Sequence, residues 1–220
     1  MKNNDPAKLL SDLAYERILQ ALFDSRLPMG EKLNQGDLIK ITGIPVGPVR
    51  DALKLLEADG IVIIRPRSGI EIISPSTDLV RATFQFRAMI ERPAVRAYAM
   101  SAREKVLRDL DHRHSEVADQ IARVEPNEIV STHLDKLEDA FHLSMVAALD
   151  NELVDASYRR LRLMAQIIKV NTRIFPRAAM VSIREHRAVL KACLERDAEA
   201  AEAALAQHLT NALNRNLGFG

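Results

Sequence analysis

The stretch from Ile44 to Ile72 constrains this chain most, because its prolines and glycines punctuate one helix and one hairpin. Pro45 and Pro48 fall in what would be a helix's first turn, where a missing N–H costs little, and Val49, Leu53, Leu56 and Ile61 mark one buried face. Gly60 predicts the end of that helix. After it, Ile61, Ile63 and then Ile70, Ile72 alternate on either side of a turn holding Pro66 and Gly69. Two short strands should therefore fold back on each other as a wing with arginines at the tip.

Upstream, Asp5 and Pro6 start a first helix carrying Leu9, Leu13, Ile18 and Leu22, and Leu27-Pro28-Met29-Gly30 turns the chain towards a short second helix around residues 35 to 41. The order is helix, helix, helix, wing. Strand-like alternation stops at Ser74-Pro75-Ser76-Thr77, which predicts a linker and two domains, 1–75 and 76–220. Beyond it the periodicity predicts an antiparallel bundle of about six helices, over 78–100, 102–122, 126–149, 151–171, 177–195 and 198–216. Ser101 with Glu104 reads as a capping box, Pro126 and Pro176 sit near helix starts, Asn151 and Asp197 are N-caps, and Gly218 follows the last helix. The fold class is mostly α.

A chain of 220 residues with 47% apolar content can bury two ordinary cores, and an aromatic share of only 4% beside abundant Ala, Leu, Arg and Glu favours helices. The lone Cys193 excludes an internal disulfide and fits a reducing compartment. The start, Met1-Lys2-Asn3-Asn4-Asp5-Pro6, lacks the apolar core of a signal peptide, and no run of about 18 apolar residues could span a bilayer. A cytoplasmic protein with no membrane partner is expected.

Residues 1 to 75 carry ten Lys or Arg and ten Asp or Glu, so bulk charge does not single this half out as a polyanion binder. Placement does more: Arg50 and Lys54 on the helix, with Arg65 and Arg67 on the wing, would face phosphate, and such contacts act locally in salt. The alternative for Arg50 is a solvated pair with Asp51 or Glu57. Gly69 suits a positive-φ turn and a close backbone approach, and its plainer role is to turn the hairpin.

These residues carry a resemblance. Leu33 to Leu38, Thr42-Gly43-Ile44, Pro48-Val49-Arg50-Asp51-Ala52-Leu53, Leu56-Glu57, Asp59-Gly60 and Arg67-Ser68-Gly69 resemble the winged helix-turn-helix of GntR-type bacterial transcription regulators. Arg87 with Glu91, Phe141-His142, Asn151, Glu185-His186, Asp197 and His208 resemble the all-helical effector-binding (FCD) domain of the FadR subfamily. The resemblance implies a homodimer that binds a double-stranded DNA operator through Gly47, Arg50, Lys54, Arg65, Arg67, Ser68 and Gly69. It departs from the family at Pro45-Val46, where relatives carry a Ser-Arg pair, so the hydroxyl cap and one DNA-reaching arginine are missing and an unusual operator is expected.

Glu138 and His142 are four apart and share a helix face, His186 lies on the apolar stripe of Ile183, Val189 and Leu190, and His208 follows Leu205. Three imidazoles and a carboxylate inside a bundle would be costly to bury unpaired yet suit a divalent ion such as Zn²⁺ or Ni²⁺. In the family the matching positions are an aspartate and three histidines that bind metal; here the carboxylate is glutamate. His112, His114 and His133 show no partner at ligand spacing and are read as ordinary surface or core residues.

The resemblance further implies a small organic acid beside the metal, with Arg87 holding an anionic group; a salt bridge to Glu91 one turn away is the alternative. The expected function is a ligand-responsive DNA-binding regulator, a repressor by default, and not an enzyme. Two other readings stay open: a metal-dependent helical enzyme using Glu138 as base, and a ligand-sensing dimer that has lost specific DNA recognition.

Overall fold

The computed structural model describes residues 6–125, 132–170 and 174–219, which fall into two compact units, Met1–Ser76 and Thr77–Gly220. In the first unit α1 (Pro6–Phe23), α2 (Gln35–Thr42) and α3 (Val46–Ala58) pack together, and β1 (Lys32–Leu33), β2 (Val62–Arg65) and β3 (Gly69–Ile72) form an antiparallel sheet of order β1-β3-β2. Sequence periodicity predicts only two strands. The third, β1, is two residues long, pairing Lys32 with Glu71 and Leu33 with Ile70, too short to show any alternation.

The α3 face is as predicted: Val49, Ala52, Leu53 and Leu56 are buried, with Ile61 just beyond. Gly60 follows the helix with φ of 76°, the left-handed conformation that stops it. Two expectations need correction. Along β2 it is Val62 that points into the core, while Ile63 is exposed, because strand pairing begins one residue after Ile61. On α1 the buried stripe is Ala14, Ile18, Ala21 and Leu22, and Leu9 is exposed. Helix α2 is bracketed by a capping box between Asn34 and Asp37 and by Gly43 in the left-handed conformation (φ 66°).

The second unit holds α4 (Thr77–Ser101), α5 (Glu104–Ile121), α6 (Thr132–Ala147), α7 (Glu152–Val170), α8 (Pro176–Leu194) and α9 (Ala198–Asn216). Helix α4 packs against α6, α7 and α9, and α8 lies against α5 and α9. One core, with Val95, Leu107, Phe141, Ile183, Val189, Leu190 and Leu205 among its members, joins α4, α5, α6, α8 and α9, while α7 packs through smaller clusters with Val80, Phe84 and Ala94 of α4. Pro176 occupies the first turn of α8, Asp197 caps α9 by accepting from the Ala200 N–H at 2.8 Å, and Asn151 Oδ1 accepts from Leu153 N at 3.0 Å. Ser101 does not cap α5: it is the last residue of α4 and its hydroxyl donates to the Ala97 carbonyl, while α5 begins after Arg103 with no side-chain cap. Pro126 lies outside the described residues, as does the side chain of His133. Among the described residues no helix is long and apolar enough to cross a membrane.

Candidate metal centre and nucleic-acid interface

On the first unit, Val46, Arg50 and Lys54 follow one another at i, i+4 spacing along an exposed flank of α3. Arg50 pairs with neither Asp51 nor Glu57: its Nε donates to Gln35 Oε1 on α2 at 3.1 Å. Asp51 instead pairs with Lys54 at 2.9 Å, and Glu57 accepts from the Ile64 N–H. Such exposed contacts are weak and yield readily to a phosphate. A side chain at Gly47 would meet nothing within 4 Å, so the backbone there faces open space.

At the wing, Arg65 pairs with Glu71 at 3.2 Å, and Arg65, Pro66, Arg67 and Ser68 are all exposed. Arg67 has φ of 65° and Gly69 φ of 98°. The close approach that Gly69 permits is to the Leu33 carbonyl of β1, 2.7 Å from where a Cβ would stand.

In the second unit, His142 from α6, His186 from α8 and His208 from α9 bring ring nitrogens within 4.8 Å of one another, all three buried. A fourth imidazole that spacing did not single out joins them. His114 of α5 is fully buried, and its Nε2 lies 3.1 Å from His186 Nδ1. Phe141 stacks on His186 with centroids 4.0 Å apart and orients that ring.

The outer partners decide which nitrogen carries each proton. Leu110 O can only accept, so His114 Nδ1, 2.7 Å away, donates to it. A neutral His114 then accepts at Nε2 from His186 Nδ1–H. His142 Nδ1 donates to Glu91 Oε2 at 2.8 Å and His208 Nδ1 donates to Glu185 Oε2 at 2.8 Å. Burial pushes the His114 and His186 pKa values down and lowers His142 to about 4, so these rings are neutral near pH 7. His142 and His186 thus keep an Nε2 lone pair, that of His142 turned to Arg87 Nη2 at 3.2 Å, and His186 Nε2 and His208 Nε2 face each other at 3.2 Å. A proton or a metal ion between the two nitrogens would hold such a pair together.

The carboxylates behind the rings are ionised, Glu91 fully buried and Glu185 partly so. Burial alone would push Glu91 up, yet Arg87 and His142 hold it below the ordinary carboxylate range. Arg87 makes the salt bridge to Glu91, Nε to Oε1 at 2.6 Å, and its Nη2 lies 3.2 Å from His142 Nε2; Tyr158 donates to the same Glu91. Glu185 is held at about 2: its burial is outweighed by hydrogen bonds from His208, Arg215 and Asn211. Glu138 is not one of the converging donors. It pairs with Lys169 and accepts from Ser182 at 3.0 Å, and Lys169 with the histidines keeps it well below its ordinary pKa despite burial. His112 is exposed and lies 3.5 Å from Glu116.

A cavity of about 700 Å³ opens beside the cluster, reaching His208, Glu138, Ser182 and Glu185. Its wall carries four cations, Arg87, Lys169, Arg177 and Arg215, against two carboxylates, Glu138 and Glu185, with Phe84, Ile174 and Phe175 as apolar surface. Three of the cations are already paired, Lys169 with Glu138, Arg215 with Glu185 and Arg87 with Glu91, so among the described residues the wall's surplus charge sits at Arg177.

Family models match this chain twice: residues 10–72 match bacterial regulatory proteins of the gntR family, and residues 82–211 match the FCD domain. The uncharacterized HTH-type transcriptional regulator YdhC of Bacillus subtilis (strain 168) is 24% identical over 197 residues, covering 90% of this chain and 86% of that protein. E. coli McbR/YncC shares the fold at a TM-score of 0.77 with 15% identity, over 95% of this chain and 97% of that one. A GntR transcriptional regulator from Rhodococcus sp. RHA1 does so at 0.77 with 16% identity, over 94% and 97%. The chain therefore belongs to the gntR family of bacterial regulatory proteins that carry an FCD domain, which are transcriptional regulators and not enzymes.

Proposed function

We propose that this regulator is a homodimeric repressor of the FadR type, whose grip on a DNA operator is changed by a small organic acid bound beside a divalent metal ion. The observation that carries it is the convergence of ring nitrogens from His142, His186 and His208, each ring anchored from behind at Nδ1. The 3.2 Å between two of these nitrogens is close to the separation, about 3.3 Å, that tetrahedral coordination at ordinary metal–nitrogen distances requires. Nitrogen donors of this kind suit Zn²⁺, Ni²⁺ or similar ions.

A bound divalent ion would supply an open coordination position for an effector carboxylate. The chain's own residues do the rest. Glu91, Glu185 and His114 fix the ring orientations, and Glu138, here paired with Lys169, would be the oxygen donor that completes the set. Arg87, Lys169, Arg177 and Arg215 line the cavity that would receive the acid. The DNA contacts fall to Gly47, Arg50 and Lys54 on α3 and Arg65, Arg67, Ser68 and Gly69 on the wing. Occupying an operator blocks transcription without further machinery, hence repression. An effector shifts operator affinity by its differential affinity for the two protein states and by no more.

The test is elemental analysis of metal-loaded protein with a thermal-shift screen of organic acids, alongside gel-shift titration on selected DNA. One ion per chain, an acid that raises the melting temperature only with metal present, and sharply weakened DNA binding by Arg50→Ala are expected. Metal content unchanged in His186→Ala, or operator affinity unchanged in Arg50→Ala at physiological salt, would refute the corresponding site.

A further inference from the structure

The cap residue of helix α3 and the first three residues of the helix, Pro45-Val46-Gly47-Pro48, offer no side-chain hydrogen-bond donor or acceptor. Pro45, Val46 and Gly47 are exposed, and Val46, the helix's first residue, keeps 42% of its surface open although it is apolar. No side chain caps this end, and the space around Gly47 is empty. One turn on, Arg50 stands on the same flank, and Lys54 a turn further.

The N-terminal residues of a recognition helix are those that reach base edges in the major groove. A polar base edge pressed against the Val46 side chain would lose its water and gain no partner from it, which is unfavourable, while the backbone N–H groups of this helix end suit a phosphate. The one apolar feature that any base presents in the major groove is the 5-methyl group of thymine. Resting on the DNA-binding reading above, we propose that Val46 selects a thymine in each half-site by packing against that methyl group, next to the base or phosphate held by Arg50. Gly47, lacking a side chain, lets the helix end approach closely enough for the contact. The tip is therefore a specificity element whose code is apolar.

The test uses the full chain and the consensus duplex that it enriches from random-sequence DNA. Each thymine of the two half-sites is replaced in turn by deoxyuridine, which removes the methyl group and leaves base pairing intact. At one symmetric position the wild type is expected to lose about fourfold in affinity per half-site, the worth of one buried methyl-sized group. Val46→Ala, at an exposed position and checked by an unchanged melting temperature, should bind thymine and uracil duplexes equally. Val46→Arg should move the selected base pair at that position from T·A towards G·C. Equal binding of thymine and uracil duplexes by the wild type at every position, or a thymine preference that persists in Val46→Ala, overturns the proposal while leaving DNA binding intact. Enrichment of no sequence at all overturns the DNA-binding reading as well.

Discussion

At the residue scale, the group behind each imidazole settles what the ring can do. His186 presents a lone pair inward only because His114 accepts its Nδ1 proton, and His114 can accept only because the Leu110 carbonyl holds its own. Replacing His114 by Phe keeps the ring's bulk but removes that acceptor. Metal affinity in a chelator competition is expected to fall about 10- to 100-fold, the usual effect of losing an outer partner, with the circular dichroism unchanged. An unaltered affinity would make His114 ordinary packing. Gly69 makes the second residue-scale prediction. Its φ is 98° and the Leu33 carbonyl lies 2.7 Å from the place an added methyl would take, so Gly69→Ala should destabilise the first unit by about 1–3 kcal/mol in a denaturant titration. His142, His186 and His208 could be grouped through the family resemblance, although helical spacing and apolar neighbours only place them on helix faces. His114 could not, since its partner is 72 residues away and no period links them.

At the element scale, helix ends were the most legible feature, because a cap is a contact between residues two or three apart. Asp197 accepts from Ala200 N at the start of α9, and Asp197→Ala should cost about 1 kcal/mol, read as a lower denaturant midpoint with an unchanged slope. Ser101 misled for the same local reason: its spacing to Glu104 imitates a capping box, but α4 runs on through it and its hydroxyl bonds back to Ala97. Strand β1 escaped for the opposite one. Two residues that pair with partners 39 and 37 positions away carry no local signature.

At the scale of the whole molecule, burying so many ionisable groups around one site makes stability depend on acid and on metal. In metal-free protein, His142 has its pKa lowered from 6.5 to about 4, chiefly by burial, and Glu185 has its own lowered from 4.5 to about 2, its burial outweighed by hydrogen bonds from His208 and Arg215. In both cases the unfolded chain binds the proton first. Stability is therefore full above about pH 6.5 and falls through two windows, 6.5 to about 4 for His142 and 4.5 to about 2 for Glu185. Unfolding midpoints measured from pH 8 to pH 3 should drop steadily; a rise on acidification would contradict this. Metal at about 100 times its dissociation constant should add about 2.7 kcal/mol, and a chelator should remove it. The amino-acid order alone determined where helices start and stop, which faces are apolar, and on which faces the three histidines lie, because those properties depend on neighbours within a turn or two. Only the packing decided that His114 joins them, that Glu138 is held by Lys169 and Ser182, and that Arg50 reaches Gln35, because such contacts depend on how separate helices are rotated and set against one another.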